Sequence, residues 1–486
     1  MREPILFPLD LPELSVELGG GTIRRTVHPS GLRILTEHMP AARSATVGFW
    51  IGVGSRDEQA ERTDAPGSLG STHFLEHLLF KGTPTQDAYQ IATSFDRIGA
   101  EHNALTAKEY TCYYAKVRDA DFEHAVGSLA DMVTNSLLDA DEFEMERGVI
   151  LEELAMAADD LGDVASERFF EEVLKDHPLG RPIGGNPDTI RAANRDDVDR
   201  HYRDRYDPST LVVTAAGAVD HDRLVEMVLA ALNASHEERW HTDSAGVPER
   251  RERGGLEPVD TRAAGEGFVT VERPSEQINL LLGAPGFVAG DPRRFAFGMM
   301  NSVLGGGMSS RLFQEIREKR GLAYTTYSFG ASYSDAGLFG IFAGSAPEKT
   351  AQVIELSKQE LAKIAADGIT EEEFERSLGQ IAGSSALALE DTETRMGRLA
   401  RAELGAGEFY DLDTSLERFE TVTADQIKSV ATHFANAPLT VVAVGPGPRC
   451  PGTLFRRPHT PWGWPRRRGV VRSGYSPRRR RRPARQ

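Results

Sequence analysis

The run Gly70-Ser71-Thr72-His73-Phe74-Leu75-Glu76-His77-Leu78-Leu79-Phe80-Lys81-Gly82-Thr83 carries most of what this chain discloses. Neither glycine nor proline interrupts it between Ser71 and Lys81, which predicts a helix there. Residues three and four apart share a helix face, so His73, Glu76 and His77 point the same way. Two imidazoles one turn apart suit one Zn²⁺, and a carboxylate beside them can take a proton from a metal-bound water. Phe74, Leu75, Leu78, Leu79 and Phe80 occupy the other faces. This predicts a buried helix and therefore a dry, rigid base for a site.

A catalytic zinc takes three protein ligands and keeps one open position, so the motif demands a third ligand elsewhere. Residues 139–160, DADEFEMERGVILEELAMAADD, read as a strong helix with Phe143, Val149, Ile150 and Leu154 as apolar positions. Glu146 and Glu153 stand seven apart and share one face two turns long, with Ile150 between them. Glu152 points about 100° away from Glu153.

The order H-x-x-E-H is the inverzincin signature. With E-R-G-V-I-L-E-E downstream and a Glu 76 positions after the second His, the chain resembles the pitrilysin/insulinase/mitochondrial processing peptidase family, in its processing-peptidase branch. The resemblance covers nearly all of residues 20–447. It implies His73, His77 and Glu153 as ligands of one zinc per chain, Glu76 as general base, and Glu146 as a carboxylate orienting the metal site. The implied activity is a zinc-dependent endopeptidase that cleaves peptides or presequence-like segments held extended inside a closed chamber.

In the second half, Gly305-Gly306-Gly307-Met308-Ser309-Ser310-Arg311 precedes LFQEIREKRGLAYTTYSF. A serine cap predicts a helix from Ser310 to Lys319, Gly321 ends it, and Leu322–Phe329 reads as a strand. By resemblance, Arg317 and Tyr324 are the pair that the zinc-free domain brings to the active site. Tyr324 would donate to the oxyanion and Arg317 would bind substrate. Taken alone, an Arg late in a helix also suits the macrodipole, and a Tyr in a strand also packs. The triple glycine lacks the spacing and the lysine of a phosphate loop. Asn103 and Ala104, on a predicted strand after the helix AYQIATSFDRIG, match the family's open sheet edge, to which an extended substrate adds by backbone hydrogen bonds. His102 lies outside the signature and reads as structural.

A chain of 486 residues exceeds one ordinary core. Two halves repeat the same order of strands and helices, so the predicted fold is α+β. Two homologous domains are expected, each a mainly antiparallel sheet packed with helices, and the resemblance implies that together they form half of a clamshell. The expected boundaries are an extension over 1–19, the zinc-binding domain over 20–240, a linker over 241–265, the second domain over 266–447 and a tail over 448–486. No run of eighteen apolar residues predicts a membrane span. The first residues resemble neither a signal nor a transit peptide, and the two cysteines form no framework. Together these predict a reducing, cytoplasmic setting.

The net charge of −17 hides two regions: residues 448–486 hold 13 Arg and no acid, so the remainder carries −17 − 13 = −30. So acidic a body repels nucleic acid and attracts basic peptides. The tail is too rich in Pro and Arg to bury a core. It reads either as a basic tail or as the product of a reading-frame shift near the 3′ end of the gene. By resemblance a homodimer is expected, in which Arg317 and Tyr324 complete the partner's site. The rival reading is a non-catalytic assembly subunit of the same fold, such as those in respiratory complexes.

Overall fold

Runs of small and β-branched apolar residues such as LVVTAAG (Leu211–Gly217) and TVVAVG (Thr440–Gly445) form strands buried on both faces, and the two sheets are built around them. The computed structural model describes residues 2–59, 67–251 and 267–446. Among these, the strands in chain order are β1 (Ile5–Leu6), β2 (Glu13–Leu18), β3 (Gly21–Val27), β4 (Arg33–His38), β5 (Ser44–Ile51), β6 (Glu101–Thr106), β7 (Thr111–Arg118), β8 (Leu211–Gly217), β9 (Phe268–Glu272), β10 (Ile278–Pro285), β11 (Ala323–Ser332), β12 (Gly337–Ser345), β13 (Glu408–Phe409) and β14 (Thr440–Gly445). The first sheet runs β2-β3-β4-β8-β5-β7-β6 and the second β11-β12-β10-β14-β9. Set aside β2 and β3, and the two orders coincide. Each contains one parallel pair, β4 with β8 and β9 with β14, at the same place among antiparallel neighbours. The α+β fold and its duplication are therefore visible in the hydrogen-bond ladders.

The sequence, by the order of its elements, sets the segment GGGMSSRLF in the second half at the place of the zinc motif, and the correspondence corrects that alignment. The helix that carries the H-x-x-E-H motif, Ser71–Leu78, lies between β5 and β6. Its counterpart between β10 and β11 is the helix Arg294–Gly305, which buries Phe297, Met299, Met300 and Val303 instead. The segment GGGMSS follows that helix and does not replace the motif. The helix predicted over Ser310–Lys319 is wound as π-helix over Phe313–Glu318, a wider turn than periodicity alone foretells.

The two halves exchange helices. The third helix after β7, Leu161–Leu174, lays Ala165, Phe169, Val173 and Leu174 against Leu281, Leu338, Val442 and Val444 of the second sheet. The third helix after β12, Thr392–Leu404, lays Met396, Leu399 and Ala400 against Leu35, Trp50, Cys112 and Val212 of the first. Each sheet thus has one face sealed by the other half. A charge cluster fastens the same junction. Glu403, fully buried, accepts from Arg25 at 2.8 Å, Arg33 at 3.5 Å and Arg250 at 2.8 Å. Burial pulls the Arg33 guanidinium down to about 10, against the pull of Glu403, so it stays charged at neutral pH.

Residues 1–19 do more than extend the chain. β2 joins the first sheet, and β1 pairs with β13 of the second half. The sequence reading foresaw neither β2 nor β3. Of the 241–265 linker, residues 243–247 are exposed but the segment is anchored on both sides of them: Thr242 is buried, Arg250 joins the Glu403 cluster and Arg251 grips both Asp57 oxygens at 2.8 and 2.6 Å. Residues 252–265 and the tail lie outside the described residues. Among those described, no helix is long and apolar enough to cross a membrane.

Candidate metal centre

The motif helix is fixed at its start by a residue far from it in chemistry and near it in space. Glu58, 4% exposed, accepts the backbone N–H groups of Gly70 and Thr72, both at 2.8 Å. It so satisfies donors that the helix cannot. Burial pushes its carboxyl up to about 7, against those two donors. Gly70 sits at φ 90°, and a Cβ there would stand 2.6 Å from Ile190 Cδ1, so the helix must begin on glycine. Phe74, Leu75, Leu78 and Leu79 are fully buried beneath it.

On its open face the imidazoles converge. His73 Nε2 and His77 Nε2 are 3.3 Å apart. Glu153 Oε2 is 3.3 Å from His77 Nε2 and 3.6 Å from His73 Nε2. These are the described residues whose ligand atoms gather within 4.8 Å of one another. Ligands 2.0–2.2 Å from a tetrahedral zinc stand about 3.3–3.6 Å from each other, so the donor set fits that ion in type and in spacing. His77 Nδ1 is 2.8 Å from Glu146 Oε2, which leaves Nε2 as the free lone pair. Lys81 holds the other Glu146 oxygen at 2.6 Å. Burial raises the Glu146 carboxyl, but the hydrogen bonds from Lys81 and His77 outweigh it and keep it anionic. Burial, with His77 adding to it, pulls His73 down to about 4, so it is a neutral ligand at pH 7.

Glu76 lies outside that gathering. Its carboxylate accepts from Thr106 Oγ1 at the end of β6. β6 pairs with β7 alone, so its other edge is open beside the motif helix. Asn103 is exposed on that edge, and its side chain caps the Ala104 N–H at 2.9 Å. His102 stacks on Phe95 at 4.2 Å and is structural.

Arg317 and Tyr324 meet each other and not the metal centre. The guanidinium lies 4.3 Å over the Tyr324 ring and donates to its carbonyl at 3.2 Å. Tyr324 is 73% exposed on β11, the edge strand equivalent to β6. No hydrogen bond, ion pair or ring contact among the described residues joins this pair to His73, Glu76, His77 or Glu153. The sequence reading missed Glu58, Lys81 and Thr106. Lys81, one turn past His77, was the one with a local signal.

Two open-edged sheets, one bearing an inverted H-x-x-E-H helix and a gathered carboxylate, define the class of metallopeptidase fold. The profile described as insulinase, peptidase family M16, matches residues 33–187, and that described as peptidase M16 inactive domain matches residues 192–381. The chain belongs to this family. An uncharacterized zinc protease of Streptomyces coelicolor is 46% identical, over 88% of this chain and 91% of its own length. One of Bacillus subtilis is 36% identical, over 88% of this chain and 100% of its own. Among solved structures, a peptidase M16 inactive domain from Pseudomonas fluorescens superposes with TM-score 0.75 at 20% identity, over 87% of this chain and 98% of its own. A protease from Helicobacter pylori gives 0.74 at 22%, over 90% and 100%.

Proposed function

We propose that this chain is a zinc-dependent endopeptidase acting on peptides bound in extended form. The observation that carries it is the gathering of His73, His77 and Glu153 at zinc spacing, with Glu76 on the same helix but outside the set. Zinc held there would lower the pKa of a water to around 7 and polarise the scissile carbonyl. Glu76 takes the proton of the attacking water and returns it to the leaving amine. Thr106, donating to Glu76, sets the carboxylate's direction. Glu146 fixes the His77 tautomer, and Lys81 fixes Glu146. The open edge of β6 holds the substrate backbone through Asn103 and Ala104.

Tyr324, exposed, and the half-buried Arg317 turned to it are proposed to serve the site of a second copy of the chain in a homodimer that closes as a clamshell. A reducing, cytoplasmic setting is compatible with Cys112, a free thiol in the core.

The test is metal content and turnover together. The purified chain should carry about one zinc, and chelation should abolish cleavage of a quenched-fluorescence peptide. Glu76→Gln should keep the zinc and lose at least about 10²-fold in turnover. Zinc-free protein without cleavage would leave the assembly-subunit reading in its place, and cleavage undiminished by chelation would overturn the metal mechanism.

A further inference from the structure

A cavity of about 540 Å³ adjoins the metal centre. Thr106, which touches Glu76, forms one wall. Ile183 forms another, just before Gly184, whose Cβ position would stand 3.4 Å from His73 Nδ1. Three cations from three separate segments line it: Lys108, Arg181 and Arg401. None has a carboxylate within ion-pair distance among the described residues. Lys108 donates to the Arg181 carbonyl and lies 5.6 Å from the Phe170 ring centre. The Arg181 guanidinium is spent on the carbonyls of Arg56, at 2.8 Å, and Pro178, at 3.3 Å. The exposed Arg401 side chain makes no hydrogen bond or ion pair among the described residues.

Two acids share the wall. Glu109 is paired with Arg56 at 2.6 Å, a guanidinium that also holds Asp335 at 2.7 Å, and lies 3.6 Å from Arg251. That leaves Glu167 against three cations, an excess of positive charge inside a body that is strongly acidic overall. Burial pulls the Lys108 ammonium down to about 8, against Glu167, as befits a cation in want of an anion.

We propose that this cavity receives an acidic side chain of the substrate, close to the scissile bond, with Lys108 as its principal contact. The proposal rests on the peptidase reading above and names the substrate class that the site would prefer. Lys108 lies two residues past Thr106, in the turn that joins β6 to β7, so the cavity begins where the open edge of β6 ends. A charge-assisted hydrogen bond is about twice as strong as a neutral one, so an acid is distinguished from its amide.

The experiment uses the full chain loaded with zinc and a set of quenched peptides in which each position near the cleavage site carries Glu, Gln or Lys in turn. At one position the Glu peptide should exceed its Gln counterpart about tenfold in kcat/KM. Lys108→Met should bring that ratio close to one, and Lys108→Glu should invert it in favour of Lys. Arg401→Glu, a change at an exposed side chain, should lower the same ratio. A parallel arm measures binding of labelled Glu, Gln and Lys peptides to Glu76→Gln by fluorescence anisotropy, where the same ordering and the same inversion are expected even if no peptide is cleaved. Equal kcat/KM and equal affinity for Glu and Gln peptides at every position would overturn the proposal. So would a Glu preference untouched by all three substitutions. Absence of cleavage with an intact binding preference would count against the hydrolase reading alone.

Discussion

Glu146 shows how one side chain is tied into several roles. It is 2% exposed, accepts from His77 and Lys81, and shares its helix face with Ile150 and Glu153. Glu146→Gln should keep the fold and weaken zinc affinity by about 10–100-fold, since it loosens the tautomer that presents His77 Nε2. Competition with a chromophoric chelator measures this, and unchanged affinity would remove Glu146 from the metal site. His73, His201 and His221 are each pulled down to about 4 by burial, the last two lodged beside Thr72 and between Thr26 and Thr36. Below about pH 6.5 the unfolded chain takes up protons that these folded histidines refuse, so stability falls as pH drops from 6.5 toward 4. Glu58, raised to about 7, works in the opposite direction, since its folded form holds a proton that the unfolded form gives up. Up to two net protons remain, so the metal-free protein should lose as much as about 2.7 kcal/mol per pH unit in that window. Urea midpoints at pH 7, 6 and 5 test it, and a flat series would show that these histidines protonate without cost.

At the scale of elements, the exchanged helices decide what counts as a folding unit. Phe169 is fully buried and lies over Gly283 and Gly340, where a Cβ would come 2.8 and 3.2 Å from its ring. Although it belongs to the first half in sequence, Phe169→Ala should destabilise the second sheet, by about 3–5 kcal/mol. Conversely, a chain ending at residue 251 lacks Met396, Leu399 and Ala400 and leaves Trp50, Leu35 and Val212 uncovered. That fragment should be aggregated or molten alone and recover a cooperative transition when residues 267–446 are supplied. Thermal unfolding followed by near-UV circular dichroism decides it. A sharp transition in the fragment by itself would mean the exchange is dispensable.

At the scale of the molecule, the metal centre and the Arg317–Tyr324 pair lie at equivalent edge strands of two related sheets, with no direct contact. If each pair completes the partner's site, Glu76→Gln and Tyr324→Phe damage different chains of the composite site. Each variant alone should be impaired. Mixed and allowed to re-pair at random, they should regain cleavage of about one quarter of the wild-type level, because half the dimers then hold one intact site of two. No recovery on mixing, with exchange of subunits verified by mass, would confine the pair to a structural role.

The sequence by itself determined what depends on local geometry. A 3.6-residue period orients His73 toward His77 and Glu146 toward Glu153, and the order of strands and helices disclosed the duplication. A period, however, specifies direction about one helix axis and nothing about which surface that axis meets. The Glu58 cap, the Thr106 contact to Glu76, and the cations gathered from residues 108, 181 and 401 all join residues well separated in sequence. Tertiary structure alone decided them, and with them the exchange of helices between the halves. An exposed apolar sheet face is stabilised by any helix of matching shape, and chain closure selects which one reaches it.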